Sequence, residues 1–202
     1  DVSESLLLAW DSGNGSFQMS VKQDDNYTVY QGPLGHGTVR VLLSKEIRNG
    51  SVLKDHEYGN PVMRDEAIEL ARKIKLLLPP LPEWLKDRLN SPEIVVATFG
   101  DGESIFALTA RALMHLKGCK EPVEQAVMTQ EDVQSIIDAY IESVDETFMA
   151  AGLHRKTLTC AVHLSALMQH FAIGSIHYKK SVGNTPGMLI APELWEEAPV
   201  NR

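Results

Sequence analysis

Hydrophobic positions open the chain in short bursts. Leu6 to Trp10 is an apolar run that stops at Asp11. Ser16 to Val21 alternates apolar and polar positions, the two-residue period of a strand with one buried face. Tyr27-Thr-Val-Tyr30 is β-branched and aromatic, and the polar turn Gln23-Asp-Asp-Asn26 precedes it. The pattern predicts three strands in a row, joined as two hairpins.

The period then lengthens. Gly35-His-Gly37 introduces a helix-like stretch from Thr38 to Ile47, which Asn49-Gly50 ends. Met63 to Leu78 carries Ala67, Leu70, Ala71, Ile74, Leu77 and Leu78 at helical spacing, and Pro79-Pro-Leu-Pro82 stops it. Pro79 to Pro92 reads as a loop within one unit, because the pieces on either side are too small to stand alone. Glu93 to Phe99 is a continuous apolar run of the kind buried in parallel sheets. Gly100-Asp-Gly102 turns it into a helix over Ser104 to His115. Thr129 and Asp132 fit a capping box, with Met128 and Val133 as a hydrophobic staple. The stripe behind them is Val133, Ile136, Ile137, Tyr140, Ile141 and Val144. Thr157 to Ala172 is apolar on nearly every face, which predicts a buried helix. Ser175 to Lys179 is a short strand, and Pro186 sits at the first position of a closing helix. Strands and helices interleave, so the expected class is α/β.

Composition narrows the function. The 202 residues suffice for one good-sized core, and 44% apolar with 23% charged positions excludes a disordered or collagen-like chain. No apolar run approaches the ~18 residues of a membrane-spanning helix. The opening DVSESLLLAW has no basic leader and no small-residue cleavage site. The expectation is a cytoplasmic protein with no membrane partner. The net charge of −8 argues against a nucleic-acid partner, which needs clustered Lys and Arg. Phosphate binding would have to rest on local backbone N–H groups. Cys119 and Cys160 lack metal-binding spacing and read as reduced thiols. The glycosylation-type triplets at Asn14, Asn26 and Asn49 carry little weight without a secretory signal. His154, His163, His170 and His177 lack the i, i+4 spacing and intervening acid of a metal site, so they read as packing residues. Arg155, Lys156, Lys179 and Lys180 read as solvated charges, with contact to an anionic substrate as the alternative.

Three strand ends run into glycine-bearing turns: Asp11-Ser-Gly-Asn-Gly-Ser16, Phe99-Gly-Asp-Gly-Glu-Ser104 and Ser181-Val-Gly-Asn-Thr-Pro-Gly187. Ligands of α/β sheets collect outside such ends, where glycines let N–H groups approach a phosphate. An Asp at the end of the first strand is suited to Mg²⁺. Each loop alone has an ordinary reading, and Asn14-Gly15 is a strong hairpin signal without any ligand.

The order of the loops resembles the second lobe of the actin-like phosphotransferase superfamily. The residues between them resemble one branch, the exopolyphosphatase / guanosine pentaphosphate phosphohydrolase family. Gly32-Pro-Leu-Gly-His-Gly-Thr-Val-Arg-Val41 is similar to that branch's Pro-Leu-Gly-Ala-Val-Arg-Leu segment. The first loop resembles its Asp-Ile-Gly-Gly-Gly-Ser, and Val95 to Gly100 followed by Ile105-Phe-Ala-Leu108 resembles its strand, loop and Ala-Leu helix. Thr129-Gln-Glu-Asp-Val133 and Ala161 to Leu189 resemble its later helix start and its ending. The departures are Asn14 in place of a glycine, and Asp101 with Glu103 where a phosphate-cradling Gly-Thr is usual.

The resemblance implies a ribonuclease-H-like (actin-like ATPase) lobe, a mixed sheet with helices on both faces, filling residues 1–202. It implies Mg²⁺-assisted attack of water on a terminal phosphoryl group of polyphosphate or guanosine pentaphosphate. Asp11 would be the catalytic and metal-positioning residue. Gly13, Asn14, Gly15, Ser16, Arg40, Gly100 and Gly102 would bind phosphate. The family's first lobe, with the glutamate that serves as general base, would lie upstream of residue 1, leaving this lobe inactive alone and with exposed edges that favour a homodimer. A non-catalytic phosphate- or nucleotide-binding regulatory module is the alternative. A nucleotide-dependent kinase of the same superfamily is the third reading, which needs an adenosine pocket near Gly183.

Overall fold

The computed structural model describes residues 6–23, 26–50, 58–119 and 121–181. Asp24 and Asp25 of the predicted turn lie outside them, as do the Val182 to Gly187 loop and the closing helix.

The three opening strands form as predicted: β1 (Leu7–Ser12), β2 (Phe17–Gln23) and β3 (Asn26–Gly32). They pair antiparallel, with Trp10 opposite Met19 and Met19 opposite Tyr30. The shared register puts Trp10, Met19 and Tyr30 on one buried face, and leaves Tyr27 and Val29 on the other, exposed one. The sheet continues with β4 (Val95–Gly100), β5 (Gln125–Thr129) and β6 (Ser175–Lys180) in the order β3-β2-β1-β4-β6-β5. β4 runs parallel to both β1 and β6, and β5 closes the edge antiparallel to β6. The sheet is therefore mixed.

Seven helices appear among the described residues. α1 (His36–Val41) runs on into a π-helical turn, Leu42–Ile47, and Asn49 at φ 51° ends it in the left-handed region. Leu42, Leu43 and Ser44 are buried there. α2 (Arg64–Leu76) starts where Glu66 accepts from the Met63 N–H at 2.9 Å. Arg48 grips the same carboxylate with two donors at 2.6 and 2.7 Å and holds the carbonyls of Gly59 and Pro61. The Arg48 hydrogen bonds hold the Glu66 carboxyl below the usual carboxylate range. α3 (Glu83–Leu89) corrects the loop expected from Pro79 to Pro92. Pro82 stands at its N-cap, where a missing N–H costs nothing, and Leu85 is fully buried. α4 (Ile105–Leu116), α5 (Gln130–Tyr140), α6 (Asp145–Ala150) and α7 (Thr157–His170) complete the set. The capping box is present at α5, with Thr129 and Asp132 each accepting from the other's N–H at 3.1 Å.

α7 is buried from Thr157 through Met168, as its all-round apolar sequence requires, and packs among α1, α2, α4 and α5. Phe171, just past its end, meets the rings of Trp10, Phe17 and Tyr30 at 5.8–6.3 Å between centroids. Phe106 of α4 meets Trp10 edge-on at 5.3 Å. These contacts seat the helices on the sheet face that carries Leu8, Trp10, Met19, Val96, Ile176 and Tyr178, in one continuous core. Truncating a ring such as Trp10 to alanine would cost about 3–5 kcal/mol. The core thereby fixes the ends of β1 and β4, which is where the expected loops lie.

Candidate functional site

The β1–β2 hairpin rests on the start of α1 through main chain. The Gly13 N–H donates to the Ser16 carbonyl at 2.9 Å and closes the turn. The Gly13 and Asn14 carbonyls accept from the N–H groups of His36 at 3.1 Å and Gly37 at 2.8 Å. The approach is close enough that a Cβ at Gly35 would collide with the Asn14 backbone, and one at Gly37 would meet the Asn14 side chain at 2.6 Å. The glycines flanking His36 are thus required by the hairpin packed on them. Among the described residues, the N–H groups of Asn14 and Gly15 have no internal acceptor.

The second loop is locked by its own polar residues. The Asp101 carboxylate accepts from the Glu103 N–H at 3.0 Å. Ser104 caps α4, accepting from the Ala107 N–H at 3.1 Å, while its hydroxyl donates to the Asp101 carbonyl at 3.2 Å. The Ser181 N–H reaches the Gly100 carbonyl at 3.1 Å, which ties the end of β6 to the end of β4.

Between these loops, α1 and the residue before α7 lies a cavity of about 300 Å³. Of the expected site residues, it joins Asp11, Gly13, Asn14 and Gly100. Gly15, Ser16, Arg40 and Gly102 do not line it. Ser16 Oγ accepts from the Gln18 amide at 2.8 Å. The Gly102 carbonyl accepts from Arg111 at 3.0 Å. Arg40 stands over the Tyr58 ring, 5.7 Å from its centroid. Sequence reasoning missed Ser12, His36 and Ser104 as wall residues, and it treated Lys156 first as solvated surface. A signal for His36 was present, since it follows Pro-Leu-Gly where the resembled segment has alanine.

The lining is acidic. Asp11, Asp101 and Glu103 face it with Lys156, whose Nζ stands 3.7 Å from Glu103. His36 is buried, and its Nε2 lies 3.4 Å from Thr159 Oγ1. Burial first, and then the nearby His163, Lys156, Arg40 and His154, hold its pKa to about 3, so the ring is neutral at ordinary pH. Ser12 Oγ is buried with no partner among the described residues. Those residues contain no group of three His, Cys, Asp or Glu able to hold a metal. Mg²⁺ is often held by one or two carboxylates plus substrate phosphates. Exposed Asp11 fits that arrangement and does not make a closed metal site by itself.

A second cavity, of about 500 Å³, lies among α2, α5 and α7. Its floor is Ala67, Ala71, Ile137 and Val162, its cations are Arg64, Arg72 and Lys75, and no carboxylate lines it.

Comparison with solved structures places this architecture. The Ppx/GppA phosphatase of Aquifex aeolicus superposes with a TM-score of 0.61 at 13% identity, over 93% of this chain and 57% of that one. The fold is that of the Ppx/GppA phosphatases. An exopolyphosphatase from Cytophaga hutchinsonii superposes with a TM-score of 0.55 at 13% identity, over 89% of this chain and 54% of its own. The chain spans less than three fifths of the Ppx/GppA structures it matches. No protein-family model and no curated protein sequence matches it. No helix among the described residues is long and apolar enough to cross a membrane.

Proposed function

We propose that this chain is a phosphohydrolase lobe that helps remove the terminal phosphate of polyphosphate or guanosine pentaphosphate. The observation that carries the reading is the cavity itself. It joins Asp11 and the glycine hairpin to the Gly100 turn at two parallel strand ends, on a Ppx/GppA fold. Phosphoryl transfer asks mainly for positioning and for charge stabilisation. The open N–H group of Asn14 and the ammonium of Lys156 supply that stabilisation, with Gly13 and Gly100 giving close approach. Asp11 would hold Mg²⁺ carried in with the phosphates. The base that activates water is assigned to the part of a longer protein that this chain does not span. A phosphate-binding regulatory module is the second reading, favoured by the acidic lining from Asp101 and Glu103.

The deciding experiment measures phosphate release from long-chain polyphosphate and from guanosine pentaphosphate, with Mg²⁺. It compares the longer protein that carries this lobe, its Asp11→Ala variant and the lobe alone. Release that collapses in Asp11→Ala and is missing from the lobe alone is expected. Release by the lobe alone overturns the assignment of the base elsewhere. No release from either substrate by the folded longer protein selects the regulatory module.

A further inference from the structure

We infer that the strand-end cavity takes a phosphoryl group that still carries a proton, with His36 Nδ1 accepting its P–OH. The inference rests on the phosphate reading above and sharpens the ligand's chemical form.

Thr159 sets the tautomer of His36. Its hydroxyl has one proton, and that proton is donated to the Lys156 carbonyl at 3.0 Å. Thr159 Oγ1 therefore meets His36 Nε2 as an acceptor, at 3.4 Å. This assigns the ring proton to Nε2 and leaves a lone pair on Nδ1. His36 lines the cavity, and with Nε2 turned to Thr159 the ring nitrogen left for a ligand there is Nδ1. The cations around the ring, Lys156, Arg40, His154 and His163 when charged, oppose a second proton on it.

The same wall holds the carboxylates of Asp11, Asp101 and Glu103. A fully ionised oxyanion presents acceptors only, so its oxygens would face lone pairs at His36 and at Asp11. A protonated phosphoryl group presents one donor for Nδ1. Its remaining oxygens take the Asn14 N–H and the Lys156 ammonium. Ser12 Oγ, buried and unpartnered at the same wall, is a further polar group that a ligand would satisfy. A site built to accept a ligand's O–H rejects the analogue that lacks one, because its acceptor is left unpaired.

Phosphate and sulfate separate this chemistry from simple anion attraction. Phosphate keeps a proton at pH 7.5, and sulfate, of the same shape, keeps none. Calorimetric titration of the chain with each ion should show phosphate bound at least about tenfold more tightly. His36→Ala should still bind an oxyanion but bring the two affinities within about twofold. Its circular dichroism spectrum would confirm that it folds. Long-range ¹⁵N spectra of the unaltered chain should report the Nε2–H tautomer of His36. Equal affinity for the two ions in the unaltered chain overturns the inference and leaves the oxyanion reading standing. So does a phosphate preference that persists in His36→Ala, or an Nδ1–H tautomer. Binding of neither ion overturns both readings together.

Discussion

Two of the cavities among the described residues are opposites. The strand-end cavity is walled by loops and carries three carboxylates against one lysine, whereas the groove among α2, α5 and α7 is walled by helix side chains and carries three cations and no carboxylate. Charge counting alone would send a phosphate to the groove. The bonds of those cations argue otherwise. Arg64 meets Asp138 at 3.2 Å, Arg72 meets Glu69 at 2.7 Å, and Lys75 donates to Gln169 at 2.6 Å, with both acids just outside the lining. The groove's charge is largely answered by its own helices. The strand-end cavity instead holds a main-chain donor with no internal acceptor, that of Asn14, beside a lysine and a buried, unpartnered hydroxyl. What distinguishes a binding site here is unmet hydrogen-bonding capacity, not the sign of the lining.

The largest test of that difference is steric. The strand-end cavity exists because the hairpin lies directly on Gly35, so Gly35→Ala drives a Cβ into the Asn14 backbone. A loss of roughly 3 kcal/mol in unfolding free energy is expected, together with loss of phosphate binding. Ala71 in the groove has no such neighbour role, and Ala71→Ser should shift stability by under ~1 kcal/mol. Urea titrations of both variants check the contrast. An unchanged midpoint for Gly35→Ala would mean that the hairpin is not seated as described.

The next effect belongs to α7, which links the two cavities. His163 lies on it, fully buried, with neither ring nitrogen bonded among the described residues. Burial lowers its pKa from 6.5 to about 4. The unfolded chain therefore binds more protons than the folded one between those values. Stability is fully present above pH 6.5 and falls as the pH drops toward 4. Between pH 7.5 and 5, the loss through His163 should be about 2 kcal/mol, and buried His36 adds to it in the same direction. His163→Leu should remove its own share of that slope and match or exceed the native stability at pH 7, because it replaces an unsatisfied polar group. Urea midpoints at both pH values decide it. An equal slope in the variant would contradict the assignment.

How much of this was legible in the sequence depended on local rules. The two hairpins were readable because Phe17, Met19 and Val21 alternate cleanly, and α7 because apolar residues surround it. α3 was hidden by Pro79, Pro80, Pro82 and Pro92, although Pro82 at an N-cap starts a helix as readily as prolines end one. β5 was hidden by its length of five residues and by the capping box directly behind it, and α6 is too short to show a period. At the site, Asp11 and Gly100 were legible as strand-end residues. Ser12 was not, and His36 showed only as a histidine where the resembled segment has alanine, because their place on the wall comes from α1 and the hairpin packing together.

Lysines then set the two cavities apart directly. Lys156→Ala should weaken phosphate binding by about tenfold, since a charge-assisted contact in a confined site is lost. Lys75→Ala in the groove should change it by less than about twofold. Titration with inorganic phosphate measures both. Equal losses would show that the lobe attracts phosphate by its general field, and the contrast between the cavities would dissolve.

The smallest effect is the most selective. Glu103 stands 3.7 Å from Lys156 and is 73% exposed, so the pair is loose and solvent-screened. Its carboxylate nevertheless competes for the ammonium that an incoming phosphate needs. Glu103→Gln keeps the shape and the turn, because the Asp101 carboxylate bonds the backbone N–H of residue 103 and not its side chain. Phosphate affinity should rise about twofold to threefold in low salt and return to the native value near 0.5 M salt, where exposed charges are screened. The same substitution on a Lys156→Ala background should do almost nothing, because the competition has lost its object. An equal gain with or without Lys156 would show that Glu103 repels phosphate on its own. The strand-end cavity would then be selective by net charge, and its one lysine would no longer distinguish it from the groove.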